Sequence, residues 1–276
     1  MSITVKPLSD TLGAAITGVD LSKALDADTV LAIHRAWLGN IVLVFPGQNL
    51  SEEDQERFCR HFGELEKVRK SLSQDQAHPS VMLITNVKNT GKVTALEDGE
   101  MMFHYDQCYY EYPGKASILY AMEIPRAGGN TLFANCVLAY ETLSDDWKKR
   151  IGGLRALNYY DYNRDSTARP TNLRPDAPQW IHPIVRTHPE TGRKALYVNR
   201  LMTVGIEGVK DDEGEEVLTY LFDHIEDPEF IYEHKWTVGD LLMWDNRCSV
   251  HARTYFSPDE PRMMRRISVK EPAAVV

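Results

Sequence analysis

The sequence predicts a mainly β fold, a β-sandwich or jelly roll with helices packed on the outside. Three observations support this prediction. Short runs rich in β-forming residues recur along the last two thirds of the chain, Gly and Pro separate them, and few segments show the 3.6-residue period of an amphipathic helix. Many strands with few helices are typical of packed sheets that helices cover.

The first third of the chain alternates helix and strand signals. Apolar residues on one stripe predict a helix over residues 26–38. Residues 41–45 are an apolar run that a Pro-Gly pair ends, which predicts a buried strand. Ser51 begins a second predicted helix with a capping-box pattern, and residues 81–84 form the next predicted strand.

The remainder is predicted to be mostly strand. Strands are predicted over residues 117–124, 194–198, 240–244 and 263–269. Two helices interrupt them, over residues 144–151 and 215–225. Residues 164–179 contain three prolines and no clear period, so we predict a loop or lid near a site.

Composition limits the class of function. The 276 residues include 43% hydrophobic and 26% charged residues, which is ordinary for a globular protein. The net charge of −9 argues against broad binding of nucleic acid or anionic membranes. A small anionic substrate stays possible, because a local pair of arginines can override the overall sign.

The chain shows no signal for a membrane or for export. It has no apolar run of about 18 residues, so no membrane span is expected. The N-terminus lacks the apolar core of a signal peptide. The four cysteines are irregularly spaced, which predicts reduced thiols in a cytoplasmic protein.

The sequence contains one candidate metal site. His104 and Asp106 are two residues apart in an aromatic, strand-like stretch, so both side chains are expected on one face while Tyr105 points away. His251 would join them from a distant segment. Two histidines and one carboxylate can occupy one face of an octahedral Fe(II) and leave three positions open.

Other histidines provide alternatives. His188 precedes Glu190 in a turn that is predicted to be exposed, and His224 precedes Glu226 at a helix end, where the two side chains diverge. The other five are interpreted as surface or half-buried residues: His34, His61, His78, His182 and His234. An isolated His-x-Asp is by itself most often a solvated surface pair.

Arginines near the C-terminus strengthen the metal hypothesis. Arg262 and Arg266 are four apart in a predicted strand and therefore share a face, with Arg265 opposite. Buried guanidinium groups need anionic partners. We interpret Arg262 as the partner of the distal carboxylate of 2-oxoglutarate and Arg266 as the partner of an acidic substrate. The alternative is a pair of ion pairs with Asp or Glu.

The ordered motifs resemble the taurine / 2,4-dichlorophenoxyacetate dioxygenase family of Fe(II)/2-oxoglutarate oxygenases over nearly the whole chain. The matching segments are residues 12–21, Val44 to Gln48, Phe62 to Leu65, His104 to Asp106, Gly128 to Thr131, Trp244 to Arg247, His251 and Arg262.

The resemblance implies a single domain over residues 1–276 with a double-stranded β-helix (jelly-roll) fold. It implies iron bound by His104, Asp106 and His251, and 2-oxoglutarate bound by Thr131 and Arg262. The substrate acid group is assigned to Arg266, together with a pocket that includes Tyr105 and Tyr109, for which core packing is the alternative. The resemblance also implies a homo-oligomer, a dimer or a tetramer.

The predicted function is an Fe(II)- and 2-oxoglutarate-dependent dioxygenase that uses O₂ to hydroxylate a small anionic organic molecule, with possible cleavage of the product. Aryloxyalkanoates, sulfonates and other carboxylates are the candidate substrates. Phe103 and Tyr105 depart from the residues usual in the family at these positions, which is unfavourable to taurine itself. The alternative is a cupin-like isomerase or hydrolase that uses a metal without 2-oxoglutarate.

Overall fold

The computed structural model describes residues 3–68, 77–87, 101–161 and 172–275. The α-helices are α1 Ala27–Asn40, α2 Glu52–Arg60, α3 Cys136–Thr142, α4 Asp145–Ile151 and α5 Asp211–Ile225. The first strands are β1 Thr4–Pro7, β2 Ala14–Thr17, β3 Val42–Phe45, β4 Met82–Thr85, β5 Gly114–Glu123, β6 Thr131–Asn135, β7 Arg155–Tyr159 and β8 Gln179–Pro183. The others are β9 Val185–Thr187, β10 Lys194–Leu196, β11 Thr203–Ile206, β12 Ile231–His234, β13 Leu241–Asp245, β14 Ser249–Arg253 and β15 Met263–Lys270.

A seven-stranded sheet, in the order β1-β2-β3-β13-β5-β15-β4, forms the larger layer. Because side chains alternate along a strand, this sheet has two distinct faces. On β5, Ile118 and Tyr120 belong to a core cluster that includes Ile33 of α1 and Phe58 of α2. Leu119 belongs to a second cluster on the opposite face. The larger sheet therefore lies between a helical layer and the inner core.

A three-stranded sheet, in the order β12-β6-β14, contributes to the same inner core. Its register places Phe133 of β6 opposite His251 of β14, and Thr131 opposite Arg253. Phe133 and Val250 join Leu119 in the inner cluster, so the two sheets share one interior. The fold is mainly β with flanking helices, and it belongs to the jelly-roll class, as predicted.

Two smaller assemblies extend this core. Strands β11-β7-β8 form a second three-stranded sheet, and β9 pairs with β10. Helix α5 packs its apolar side chains, among them Leu218 and Phe222, into the inner cluster.

Most predicted elements are present within a few residues of the predicted bounds, and their caps explain where they begin. Asp26 accepts a hydrogen bond from the backbone N–H of Thr29 at 2.7 Å and starts α1. Ser51 and Asp54 form the predicted capping box of α2. Helix α5 begins at Asp211, four residues before the prediction, because the acidic residues of its first turn are favourable at a helix N-terminus although they carry no apolar period.

Helix α3 is an element that apolar periodicity did not predict. Its signal is a cap, because the side chain of Asn135 accepts hydrogen bonds from the N–H groups of Val137 and Leu138. Of the predicted lid at residues 164–179, residues 164–171 lie outside the described residues, and residues 172–178 form bends and turns that lead into β8. In the ranges that the structure covers, no helix is both long and apolar enough to cross a membrane.

Candidate active site

His104 and His251 are brought together by the backbone. Each residue donates its N–H to the carbonyl oxygen of the other at 3.0 Å, which forms an isolated antiparallel bridge. The two imidazole rings are 4.1 Å apart between centroids. The predicted strand through residues 104–106 is wrong, because pairing stops at His104 and Asp106 lies in a turn. The turn still places Asp106 beside both histidines.

The three side chains have the spacing of a metal site. His104, Asp106 and His251 are buried, and one donor atom of each lies within 4.8 Å of the others. Nε2 of His251 is 3.9 Å from Oδ2 of Asp106. Two ligands that are each about 2.1 Å from a shared ion lie at most about 4.2 Å apart, so this pair fits one ion. The donor set of two imidazoles and one carboxylate suits Fe(II).

The tautomer of His104 also fits a metal ligand. Its Nδ1 lies 2.9 Å from the carbonyl oxygen of Met102, to which only an Nδ1–H group can donate. The lone pair is then on Nε2. A metal-binding histidine usually fixes its other ring nitrogen in this way.

Asp106 is held as a carboxylate. Burial raises its pKa, but the charge of Arg266, electrostatic interaction with the imidazoles of His251 and His104, and the hydrogen bond from Ser117 together outweigh burial, so the pKa of the carboxyl is well below its usual value. Oδ1 accepts a hydrogen bond from the guanidinium of Arg266 at 3.1 Å, and Oδ2 accepts one from Ser117 at 2.5 Å. The carboxylate therefore presents negative charge to a cation at neutral pH.

The two faces of β15 separate Arg265 from Arg266 as predicted. The prediction that Arg262 lies in the same strand is wrong, because β15 begins at Met263. Arg265 points towards α2, where it donates to the side chain of Gln55 and to the carbonyl oxygens of Leu50 and Ser51. Arg266 points to the inner face and pairs with Asp106. The ion-pair alternative for Arg266 is thus present, with a ligand-type carboxylate as its partner.

Arg262 is a buried cation. It is 5% exposed, and its Nε donates to the carbonyl oxygen of Gly129 at 3.3 Å. Among the residues that the structure describes, no carboxylate forms an ion pair with it. Burial, and then the nearby charge of Arg253, lower the pKa of Arg262 to about 10. The surroundings therefore favour the arrival of an anion.

Two glycines precede Thr131, and Gly129 makes room for the side chain of Arg262. Gly128 and Gly129 both have positive φ, which glycine adopts at least cost. A Cβ atom at position 129 would lie 3.3 Å from Cδ and Nε of Arg262, and one at position 128 would lie 2.1 Å from the carbonyl oxygen of Tyr255. The turn carries the chain directly into Thr131.

Thr131 has a defined hydrogen-bond direction. The indole N–H of Trp236, which can only donate, gives its proton to Oγ1 of Thr131 at 3.0 Å. The hydroxyl of Thr131 therefore accepts from the indole and can donate its own proton to a carboxylate. Thr131 is 4% exposed and lies on β6, which pairs directly with the strand of His251.

The two tyrosines predicted for the substrate pocket differ in position. Tyr105 is fully buried, and its hydroxyl donates to the carbonyl oxygen of Leu196 at 2.5 Å. This contact corresponds to the core-packing alternative, and we omit Tyr105 from the proposed pocket. Tyr109 is 6% exposed and stacks on Tyr160, with 4.9 Å between ring centroids. Its role in substrate binding stays a prediction.

A second cluster of ligand-type residues consists of His188, Asp245 and Cys248. Nδ1 of His188 accepts the backbone N–H of Glu190 at 3.2 Å, so Nε2 carries the proton that is donated to Asp245 at 3.0 Å. Arg247 holds both oxygens of Asp245, at 2.8 and 2.7 Å. Burial keeps the pKa of the Cys248 thiol well above its usual value. These contacts use the groups that a metal would need, so the cluster is a buried ionic network.

Three histidines are buried where the sequence predicted exposed or half-buried side chains. His188, His182 and His234 are 2%, 1% and 5% exposed. Each has a polar partner inside the protein, which removes the cost of burial. The partners are Asp245 for His188, the carbonyl oxygen of Tyr110 for His182 and Asp240 for His234.

His182 makes the stability pH-dependent. Burial lowers its pKa to about 4, against about 6.5 in an unfolded chain. Between these values the unfolded state binds more protons, so the free energy of unfolding falls as the pH falls from 6.5 towards 4. We expect this residue to remove about 2 kcal/mol between pH 7.5 and 5.0. Urea unfolding of His182→Gln should show that much less pH dependence, with exposed His61→Gln as the control; an unchanged difference would contradict the assignment.

Fold and site together define a class of protein: a jelly roll with a candidate mononuclear metal centre of two histidines and one carboxylate, the ligand set of non-haem Fe(II) oxygenases. The model of the taurine catabolism dioxygenase TauD, TfdA family matches residues 4–268, and the chain belongs to this family. It is an α-ketoglutarate-dependent (2-oxoglutarate-dependent) dioxygenase, which uses Fe(II), 2-oxoglutarate and O₂. Family membership excludes the cupin-like alternative without 2-oxoglutarate.

Three similar proteins illustrate the match. The (S)-phenoxypropionate/alpha-ketoglutarate-dioxygenase of Sphingobium herbicidovorans is 35% identical over 269 residues, covering 94% of this chain and 92% of the relative. The alpha-ketoglutarate-dependent 2,4-dichlorophenoxyacetate dioxygenase of Cupriavidus pinatubonensis is 34% identical over 292 residues and covers all of both chains. The crystal structure of AAD-2 in complex with Mn(II) and N-oxalylglycine has a TM-score of 0.87 and 30% identity, covering 100% of this chain and 99% of that one.

Sequence analysis missed the residues that support the candidate ligands. Ser117 and Asn246 lie behind Asp106, Trp236 lies behind Thr131, and Gly129 lies against Arg262. Of these, only Gly129 and Asn246 fall in segments with a recognisable motif. Nothing in the sequence around Ser117 distinguishes it from an ordinary strand residue.

Proposed function

We propose that this dioxygenase hydroxylates a small anionic organic substrate of the aryloxyalkanoate type at a centre formed by His104, Asp106 and His251. The observation that carries the proposal is the cluster of three buried donor atoms within 4.8 Å, in a chain that also holds a buried arginine, Arg262, without a carboxylate partner among the described residues. When bound, Fe(II) supplies the activation of O₂ that couples conversion of 2-oxoglutarate to succinate and CO₂ with insertion of one oxygen atom into a C–H bond.

The residues of the chain bind and orient the reactants. Arg262 would hold the distal carboxylate of 2-oxoglutarate with two parallel N–H donors, and the hydroxyl of Thr131 would donate a further hydrogen bond. Burial of both side chains limits access of water, which strengthens these contacts. Orientation of the target C–H bond is the protein's contribution to rate and selectivity.

Arg266 is the proposed anchor for the substrate anion. A guanidinium carries five N–H donors, and the contact with Asp106 uses one of its NH groups. Arg266 therefore lies directly beside the candidate metal ligand Asp106. A substrate acid group bound to Arg266 would bring its adjacent carbon close to the reactive centre. Tyr109, stacked on Tyr160, is the proposed aromatic wall.

The names of the relatives support an aryloxy substrate. By name, the relatives from Sphingobium herbicidovorans and Cupriavidus pinatubonensis act on phenoxyalkanoates, and each match covers more than nine tenths of this chain. In such a substrate, a carbon hydroxylated next to the ether oxygen forms a hemiacetal, which collapses to a phenol and a carbonyl compound. The product would then be cleaved as well as oxidised.

A succinate-release screen tests the proposal. The protein is supplied with Fe(II), 2-oxoglutarate and O₂, and with a panel of aryloxyalkanoates, alkyl sulfonates, sulfate esters and simple carboxylates. We expect succinate and a phenol in equal amounts with the aryloxyalkanoates. Turnover of neutral amide analogues at the same rate would contradict an anionic substrate.

The Arg266→Ala variant gives a sharper prediction. Loss of a charge-assisted hydrogen bond should raise KM for the aryloxyalkanoate by about 10- to 150-fold, corresponding to about 1.5–3 kcal/mol. Because Arg266 also contacts Asp106, its loss should lower turnover of the acid and of its neutral amide alike, whereas the rise in KM should be confined to the acid. Steady-state kinetics with both compounds separate loss of the substrate anchor from an effect on the candidate metal ligand. An unaffected KM for the acid would sink the assignment.

The proposal includes a single domain over residues 1–276, a homo-oligomer and a cytoplasmic location. The location is supported by Cys59, Cys108, Cys136 and Cys248, which are all buried free thiols and so suit a reducing compartment. Light scattering after size-exclusion chromatography would decide between a monomer and the proposed dimer or tetramer.

A further inference from the structure

We infer that Ser117 and Asn246 are positioning residues for the candidate metal ligand Asp106, and that they act through a one-way chain of hydrogen bonds. The chain runs from Trp244 through Asn246 and Ser117 to the carboxylate. This inference rests on the proposed metal site and goes beyond it, because neither Ser117 nor Asn246 is a ligand.

Trp244 sets the donor-to-acceptor direction of this chain of hydrogen bonds. The indole N–H of Trp244 can only donate, and it lies 2.9 Å from Oδ1 of Asn246. This contact identifies Oδ1 as the amide oxygen, so the NH₂ group faces Ser117 and donates to its Oγ at 3.0 Å. Ser117 accepts that bond and directs its single proton to Oδ2 of Asp106 at 2.5 Å.

The residues of this hydrogen-bond chain are shielded from solvent. Ser117 and Asn246 are 0% exposed, Trp244 is 1% exposed and Asp106 is 5% exposed. Water does not compete for these donors, so a lost member leaves a buried polar group unsatisfied. The backbone holds the members in place as well, because Trp244 lies directly opposite Ser117 in the β13–β5 ladder and the N–H of Asn246 donates to the carbonyl oxygen of Lys115 at 3.0 Å.

The consequence for Asp106 is a fixed orientation. Ser117 holds Oδ2, the oxygen that is 3.9 Å from Nε2 of His251, while Arg266 holds Oδ1. With a donor on each oxygen, the carboxylate cannot rotate freely about its terminal torsion, which is otherwise broad. The chain also reaches the second ligand, since the ring of Trp244 packs 4.7 Å from the ring of His251.

Metal titration tests the inference without turnover. The metal-free protein is titrated anaerobically with Mn(II), followed by the loss of the free Mn(II) signal in electron paramagnetic resonance. We expect Ser117→Ala to raise the Kd for Mn(II) by about 10- to 100-fold, as is typical when an outer hydrogen bond to a metal ligand is lost. Asn246→Leu, which keeps the branching of the side chain and removes its hydrogen bonds, should raise it less, because Asn246 acts only through Ser117.

The double variant provides a second criterion. If Asn246 acts through Ser117, then Ser117→Ala with Asn246→Leu should bind Mn(II) as Ser117→Ala alone does, whereas independent effects would multiply. The matched control is Thr203→Val on β11. Its fully buried hydroxyl donates to Oδ1 of Asn158 at 2.8 Å, outside the candidate site. It should lose stability but retain the Mn(II) affinity of the wild type.

The possible outcomes separate the inference from the proposed function. Absence of Mn(II) binding in the wild type, or binding that Asp106→Asn leaves unchanged, contradicts the metal site itself. Wild-type binding with an unchanged Kd in Ser117→Ala, or an equal loss in Thr203→Val, contradicts only the positioning role. If circular dichroism shows that Ser117→Ala does not fold, the Kd for Mn(II) of Asn246→Leu is the test. An unchanged Kd in that variant also overturns the inference.

Discussion

Asp106→Asn should abolish detectable turnover and weaken Mn(II) or Fe(II) binding by more than about 100-fold, since loss of a ligand exceeds the 10- to 100-fold cost of losing an outer hydrogen bond. The replacement has nearly the same shape but is neutral. It removes the negative charge that balances Arg266 and brings an NH₂ group towards donors that now contact an oxygen. Anaerobic metal titration and succinate release would measure the two effects separately.

Asp240→Asn is the matched control for this variant. Asp240 is also 5% exposed and also accepts hydrogen bonds, from His234 and from the backbone N–H of Thr237, but it lies outside the candidate ligand set. It should lose stability and keep its metal affinity. Retention of metal affinity by Asp106→Asn, or an equal loss by Asp240→Asn, would show that the carboxylate of Asp106 is not a ligand.

The backbone pairing of the two histidines shows why the ligand residue types were predictable from the sequence while their geometry was not. His104-x-Asp106 and His251 are recognisable as metal-binding residue types, and their motifs identify the family. The sequence suggested a strand through residues 104–106 because the stretch is aromatic. In the structure, only His104 forms a bridge, with His251 about 150 positions away in the chain, and a turn then places Asp106.

The sequence also did not predict which polar side chains are buried. The sequence predicts His182, His188 and His234 to be exposed or half-buried, yet each lies inside with a partner. A histidine gives no local signal of a distant carbonyl or carboxylate, because that partner depends on how the strands pack. The same reason hid Ser117, whose role depends on a carboxylate from one segment and an amide from another.

By contrast, the alternation of side chains along a strand correctly predicts which face of β15 carries Arg265 and which carries Arg266. A period of two places Arg266 towards the inner core and Arg265 towards α2, where Gln55 receives it. One strand therefore supplies a structural cation to one layer and a functional candidate to the other. This separation offers a control for any experiment on the arginines, because Arg265 has the same chemistry and a similar burial but lies on the opposite face.

Arg262→Met should raise KM for 2-oxoglutarate by at least about 30-fold, which corresponds to about 2 kcal/mol or more for removing one partner of a buried charge pair. It should at the same time leave the free energy of unfolding of the ligand-free protein unchanged or higher. Burial and Arg253 lower the pKa of Arg262 to about 10, so folding disfavours its charged form when no anion is bound. If Arg262 served packing alone, Arg262→Met would lower the free energy of unfolding and leave the KM for 2-oxoglutarate unchanged.

Arg265→Met on the outer face is the contrasting variant. It removes hydrogen bonds to Gln55, Leu50 and Ser51, so it should unfold at lower urea concentration with an unchanged KM for 2-oxoglutarate. Thermal shifts with N-oxalylglycine, in which an NH group replaces one methylene of 2-oxoglutarate, give an independent measure of binding. The wild type and Arg265→Met should be stabilised by this compound and Arg262→Met should not, because a ligand stabilises the fold only at concentrations that approach or exceed its Kd. A destabilised Arg262→Met that still responds to N-oxalylglycine would assign Arg262 to the structure and leave the distal carboxylate without its proposed partner.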